Sequence, residues 1–282
     1  MKWMVDFSYI EKSAGYIDVK GVRTRYYHKG EGEPVVFLHG CTGSMESYVY
    51  NLEPLSKSFS VYALDMIGHG FTDKPDIDYS PKTLMDHALD TADALGLDSF
   101  SLVGHAWGGW ISTLISYFHP KRVNKVVSIC GLNPSSLSSL IRSEDKKMMD
   151  TLTLNAAFNP SLDNIRARMK AMLKGSYDEA AESLVVLRSK YYSAPGFSRA
   201  MSSLMRSTKR EEYTLDDKLA KLARPMVLVW GRDCYFGYQQ AFNALSVNAR
   251  LGLFMVANAG EWVQWEKPDI VNTVMEAYLR GR

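Results

Sequence analysis

Phe100-Ser-Leu-Val-Gly-His-Ala-Trp-Gly-Gly-Trp110 has the residue types and spacing of a reaction site. A β-type run from Phe100 to Val103 stops at Gly104, and a helix-compatible run opens at Trp107. Gly104, Gly108 and Gly109 supply the small residues that a sharp strand-to-helix turn needs for close backbone approach. This is the layout of a nucleophile elbow, Gly-x-Ser-x-Gly, whose strained turn lifts one side chain into a pocket. Its middle residue is Ala106. A methyl group cannot attack a carbonyl, so the frame is present without its nucleophile.

Cys41, next to the pair His39-Gly40, has a thiol that could act as a displaced nucleophile. An isolated cysteine is more often a small packed hydrophobe, and no neighbour in sequence would depress its pKa. Cys41, Cys130 and Cys234 lie far apart with no C-x-x-C spacing. They predict reduced thiols in a cytoplasmic protein, with no zinc site, disulfide scaffold or metal. The 282 residues carry a net charge of +2 and 46% hydrophobic residues. That balance gives no electrostatic case for nucleic acid or an anionic membrane surface. Asp6 and Glu11 fall where a signal peptide would need an apolar core, and no apolar run is long enough to span a bilayer.

These residues need elements to position them. Tyr16 to Val19 and Val22 to Tyr27 read as a hairpin joined at Lys20-Gly21. Val35-Val-Phe-Leu38 is a continuous apolar run suited to a strand buried on both faces, and Met45 to Leu55 reads as a helix. Val61 to Asp65 is a strand, Pro81 to Leu97 a helix, and Val123 to Ile129 a strand after the elbow helix. From about 133 to 222 strand signals vanish, while Met, Lys and Arg recur at helical spacing. Strands return at Met226 to Trp230 and Leu251 to Val256, before a last helix from Pro268 to about Leu279. The expected organisation is a core of residues 1–132 and 223–282 with a helical cap of residues 133–222. Alternating strands and helices predict a mostly parallel, doubly wound sheet that binds ligands at the strands' carboxyl ends.

The chain resembles the α/β-hydrolase family over nearly its whole length. His39-Gly40, the turn Asp65-x-x-Gly68-x-Gly70, the elbow at Gly104 to Gly109 and Gly231-Arg-Asp233 stand in order. Gly260-Glu-Trp-Val-Gln-Trp-Glu266 looks like the Gly-His-Trp-x-Gln-Trp-Glu segment of meta-cleavage-product hydrolases, which cleave a carbon–carbon bond in dienoic keto acids. The resemblance implies an eight-stranded sheet with the cap inserted after the sixth strand, and no cofactor. It places a Ser, Asp, His triad at Ala106, Asp233 and Glu261, so two of three positions have changed. Epoxide hydrolases and haloalkane dehalogenases carry Gly-His-Asp-Trp-Gly-Gly, one residue away. Cys41-Thr42 after the His-Gly pair and the C-terminal Trp-x-Gln-Trp-Glu agree better with the serine branch.

The backbone N–H groups of Cys41 and Trp107 are the expected oxyanion hole, and neither depends on its side chain. Glu261 is expected to face Asp233, and two facing carboxylates would share a proton. Arg188 resembles the cap arginine that grips a substrate carboxylate, with a solvated helix face as the alternative. Trp262 is expected to line the pocket, and the Met-rich cap to be helix packing.

The reading that follows is an enzyme running non-covalent acid/base chemistry on a small, partly apolar carbonyl or carboxylate compound. Proton abstraction, elimination, isomerisation, cyclisation and decarboxylation are suitable reactions. An engineered inactive variant of a C–C or ester hydrolase and a non-catalytic ligand-binding protein are the rival readings. The only partner required is a small-molecule substrate, with no nucleic acid and no membrane; a homodimer stays open.

Overall fold

A computed structural model describes residues 7–132, 143–173, 175–207 and 211–281. Its centre is an eight-stranded sheet in the order β1-β2-β4-β3-β5-β6-β7-β8. β1 (Ala14–Val19) and β2 (Val22–Lys29) form the expected antiparallel hairpin. Lys20 and Gly21 both have positive φ, 52° and 84°, the turn whose twist matches two right-twisted strands. β2 also runs antiparallel to β4 (Ser60–Leu64). β3 (Pro34–Leu38), β4, β5 (Phe100–His105), β6 (Val123–Ile129), β7 (Met226–Gly231) and β8 (Leu251–Val256) pair in parallel. Every residue of β5 and β7 is buried, as strands covered by helices on both faces require, with β7 a nearly continuous apolar run and β5 carrying Ser101 and His105 inside.

The core helices are α1 (Ser8–Ser13), α2 (Leu52–Leu55), α3 (Pro81–Ala94) and α4 (Trp107–Phe118). α3 starts where Ser80 and Thr83 cap each other reciprocally and Pro81 occupies the first turn. Between β6 and β7, residues 143–221 hold α5 (Ser143–Phe158), α6 (Leu162–Leu173), α7 (Glu179–Tyr192), α8 (Phe197–Ser207) and α9 (Asp216–Lys221), with no strand among the described residues. The expected start of this insertion at 133 lies outside the described residues. Met149, Met169, Met172 and Met201 are buried in these helices, while Met148 is exposed. The tyrosine hydroxyls of Tyr192 and Tyr50 tie the insertion to the core, donating to the Thr42 carbonyl at 3.0 Å and to Asp178 at 3.2 Å. The Tyr79 N–H adds a bond to Ser203 Oγ at 2.8 Å.

After β7 come α10 (Gln239–Val247), then β8, α11 (Val263–Glu266) and α12 (Pro268–Arg280). The mixed pattern of α10 carries no clear apolar stripe, so the sequence does not announce it. The helix expected over Met45 to Leu55 is broken into a 3₁₀ turn (Met45–Tyr48) and the short α2. Pro54 has no N–H to donate to Tyr50, so one continuous helix cannot keep its bonds through it, and Asp65 accepts the Met45 N–H at 2.9 Å at the start of the 3₁₀ turn. Among the described residues no helix is long and apolar enough to cross a membrane.

Candidate active site

β5 ends in His105, and the chain turns at Ala106 with φ 49° and ψ −114° before α4 begins at Trp107. A residue with a side chain held there costs of order 1–3 kcal/mol. The elbow folds so tightly that a Cβ on Gly108 would lie 1.9 Å from the Leu38 carbonyl oxygen. A Cβ on Gly104 would lie 2.2 Å from the Gly108 oxygen. The two glycines therefore let the turn close against the end of β3, which brings the loop after β3 beside Ala106. A Cβ on Gly40 would stand 3.2 Å from Ala106 Cβ and 3.1 Å from His105 Nδ1.

His39 clamps that loop. Its Nε2 accepts the Met66 N–H at 3.1 Å, which leaves Nδ1–H to donate to the Gly40 carbonyl at 2.8 Å. Burial lowers its pKa, so the ring stays neutral and this tautomer is kept. Gly43 N–H also donates to Gly40 O at 3.0 Å, closing the turn that carries Cys41. Burial pushes the Cys41 thiol up to about 12, against the opposing fields of Arg168 and Arg188. A thiol held protonated in this way is a poor nucleophile.

Glu261 sits in the loop before α11 and is only 5% exposed. Gly260, just before it, is fixed by its N–H donating to both carboxylate oxygens of Glu266, at 3.0 and 3.1 Å. His105 Nε2 lies 3.1 Å from the Glu261 carbonyl oxygen and 3.8 Å from its carboxyl Oε1. Burial lowers the His105 pKa to about 3, so the imidazole is neutral and donates Nε2–H to that carbonyl. Its Nδ1 is buried without a hydrogen-bond partner, and so is Glu261 Oε2. Burial raises the Glu261 pKa to about 7; Arg168, a hydrogen bond from the Tyr235 hydroxyl and Arg188 pull it down, and Glu266 pushes it up.

The expected pairing of Glu261 with Asp233 is not formed. Asp233 is exposed in the turn after β7, where its N–H donates to Ala259 O at 2.9 Å. The carboxylate acting most on Glu261 is Glu266. Desolvation, rather than a shared proton, holds Glu261 near neutrality.

Arg188 lies on α7 and is 1% exposed, not on a solvated face. Its Cζ stands 5.0 Å from the centre of the Trp262 ring, and Nη1 donates to Met169 Sδ at 3.1 Å. Nε has no partner. Trp262 is buried and meets the His105 ring edge to face at 5.6 Å. The structure thus gathers Ala106, Trp107, Cys41, Glu261, Trp262 and Arg188 and leaves Asp233 at the surface. Sequence reasoning passes over His105, Arg168, Tyr192 and Tyr235. His105 stands inside the elbow stretch; the others give no signal beyond being polar residues in helical or loop segments. Among the described residues, no group of three or more His, Cys, Asp or Glu side chains could hold a metal ion. A surface cleft of about 320 Å³, lined by residues including Lys20, Asp90, His119 and Arg122, lies at the strands' amino ends, away from this cluster.

The chain belongs to the alpha/beta hydrolase fold family, whose pattern it matches over residues 33–268. Its relatives include the 2-hydroxy-6-oxo-2,4-heptadienoate hydrolase of Pseudomonas putida F1, 27% identical over 260 residues that cover 88% of this chain and 89% of the relative. Human epoxide hydrolase 4 is 26% identical over 94% of this chain and 78% of its own length. Among solved structures, a point mutant of the meta-cleavage product hydrolase CumD superposes with a TM-score of 0.81 at 24% identity, covering 96% of this chain and all of that one.

Proposed function

We propose that this chain is an enzyme that moves protons on a small carboxylate-bearing carbonyl compound without forming a covalent intermediate. The observation that carries the reading is Glu261. Its buried Oε2 has no hydrogen-bond partner, its pKa is held at about 7, and it shares its surroundings with an elbow that presents only a methyl group. A base poised near neutrality is partly ionised and still binds a proton usefully. In the proposed reaction, Glu261 takes a proton from the carbon beside the carbonyl. The C–H electron pair becomes a double bond between that carbon and the carbonyl carbon, the carbonyl π pair moves onto oxygen, and the developing oxyanion is met by the N–H groups of Cys41 and Trp107. The proton then returns from Glu261 to another carbon, or a leaving group departs. Arg188 would hold the carboxylate by its guanidinium fork, with Trp262 beneath it.

The test is deuterium exchange. A panel of 2-oxo carboxylates is incubated with the protein in D₂O, and loss of the proton signal beside the carbonyl is followed by NMR. The unsubstituted protein is expected to catalyse exchange in at least one of them. Glu261→Gln keeps the shape and cannot accept a proton, so it is expected to slow exchange by about 10²–10⁴-fold. Affinity should change much less, since the loss lies in the transition state. No exchange by the unsubstituted protein, or equal exchange by the variant, would remove Glu261 from catalysis.

A further inference from the structure

Arg168, on α6, is 7% exposed, and its hydrogen bonds go to neutral hydroxyls: Thr153 Oγ1 at 3.0 Å and Tyr192 OH at 3.5 Å. Among the described residues neither Arg168 nor Arg188 forms an ion pair with a carboxylate. By contrast Arg25, equally buried, is paired with Glu46 at 2.8 Å and with Asp65 at 3.3 Å. A buried guanidinium without an acid carries an uncompensated desolvation cost, and such charges are normally paired.

The two unpaired arginines stand against different parts of the site. Arg188 lies against Trp262, next to Glu261 in the chain. Arg168 reaches the other loop, because the Tyr192 hydroxyl it contacts donates to the carbonyl of Thr42, next to Cys41. Both arginines act on the Cys41 thiol and on Glu261, so both fields enter the same space. Among the described residues, the buried acid on which both arginines are shown to act is Glu261, and it supplies at most one negative charge.

We infer that Arg168 forms a second anion-holding position in the pocket, so that the substrate carries two carboxylates, one held by Arg188 and the other by Arg168. This rests on the proposed site and narrows its substrate to dicarboxylates. Trp262 and the methyl of Ala106 leave the middle of such a ligand in apolar surroundings, with the charge at its two ends.

The probes are unbranched dicarboxylates of about four to eight carbons and monocarboxylates of matching length, with binding followed by titration calorimetry. The dicarboxylate that fits is expected to bind about tenfold or more tightly than its monocarboxylate, as one added charge-assisted hydrogen-bonded contact implies. Arg168→Met should reduce that advantage to about twofold or less and leave the monocarboxylate affinity within about twofold, whereas Arg188→Met should weaken both ligands. The inference fails if no dicarboxylate has an advantage, if the advantage survives Arg168→Met, or if that variant weakens both ligands equally. The last outcome would mean that both arginines grip one carboxylate. Should Arg168→Met not fold, the comparison of ligands on the unsubstituted protein decides, with Arg168→Lys expected to keep a reduced preference. Glu261→Gln should keep the dicarboxylate preference. Exchange by Glu261→Gln equal to that of the unsubstituted protein, with the preference intact, would therefore overturn the acid/base reading alone, and exchange by the unsubstituted protein without any dicarboxylate preference would overturn this one alone.

Discussion

Replacing Glu261 by glutamine should make the protein more stable above neutral pH and leave it little changed in acid. Glu261 has a folded-state pKa raised from the ordinary 4.5 to about 7 by burial. Between these values the unfolded chain has released the proton while the folded one still holds it, so stability falls as pH rises. The stabilisation from the neutral carboxyl is fully present below about pH 4.5 and gone above about pH 7. At about 1.4 kcal/mol for each pH unit, the loss is about 3 kcal/mol. Buried histidines work the other way. Burial lowers His87 to about 4 and His105 to about 3, so their contribution is present above their ordinary value and lost as pH falls through the lowered ones. Subtracting the parent curve from the Glu261→Gln curve cancels the histidines. Urea unfolding at a series of pH values should give a difference that rises by about 3 kcal/mol from about pH 4.5 to about pH 8, or roughly 5–10 °C in Tm. A difference that stays flat within about 0.5 kcal/mol would refute the claim that Glu261 is buried against its charge.

Two further outcomes follow from the site. The Cys41 thiol, pushed up to about 12, should react with iodoacetamide at least about tenfold more slowly in the native protein than an ordinary cysteine, as read by mass spectrometry at neutral pH; rapid native labelling would restore it as a nucleophile. The double change Ala106→Ser with Glu261→His should acquire labelling by a fluorophosphonate probe that leaves the parent unlabelled, with each single change reaching less than about a tenth of the rate because the two act as a unit; full labelling of Ala106→Ser alone would show that Glu261 already serves as a base for serine.

The sheet was legible because its central strands are written as unbroken apolar runs, and Val35 to Leu38 can be little else. The elbow was legible because its turn admits only small residues at 104 and 108, whatever stands at 106. Glu261 was found through its neighbours Gly260 and Trp262. What could not be read is which way polar side chains of the insertion and the turns face. Arg166 and Arg168 stand two positions apart on α6, yet Arg166 bonds Glu182 and Asp163 near the surface while Arg168 is buried. On a helix, residues at that spacing point to well-separated sides, and which side is inside depends on the packing of α5 and α7. Asp233 failed for a related reason: the turn after β7 carries its side chain outward, and only the folded turn reveals that.

The residues of the candidate site are divided between two parts of the chain. Arg168 and Arg188 ride on α6 and α7, while Glu261 and Cys41 belong to loops of the sheet and Trp107 opens α4. Tyr192, Tyr50 and Tyr79 are the few polar ties already described across that seam. On the proposed reading, an anion seated between the two halves would be a further tie between them. Its residence time would then depend on how the helices sit on the sheet as much as on the residues that line the site. A step that consumed one of the ligand's negative charges would cut one of its own moorings, so conversion and release would be coupled by charge alone.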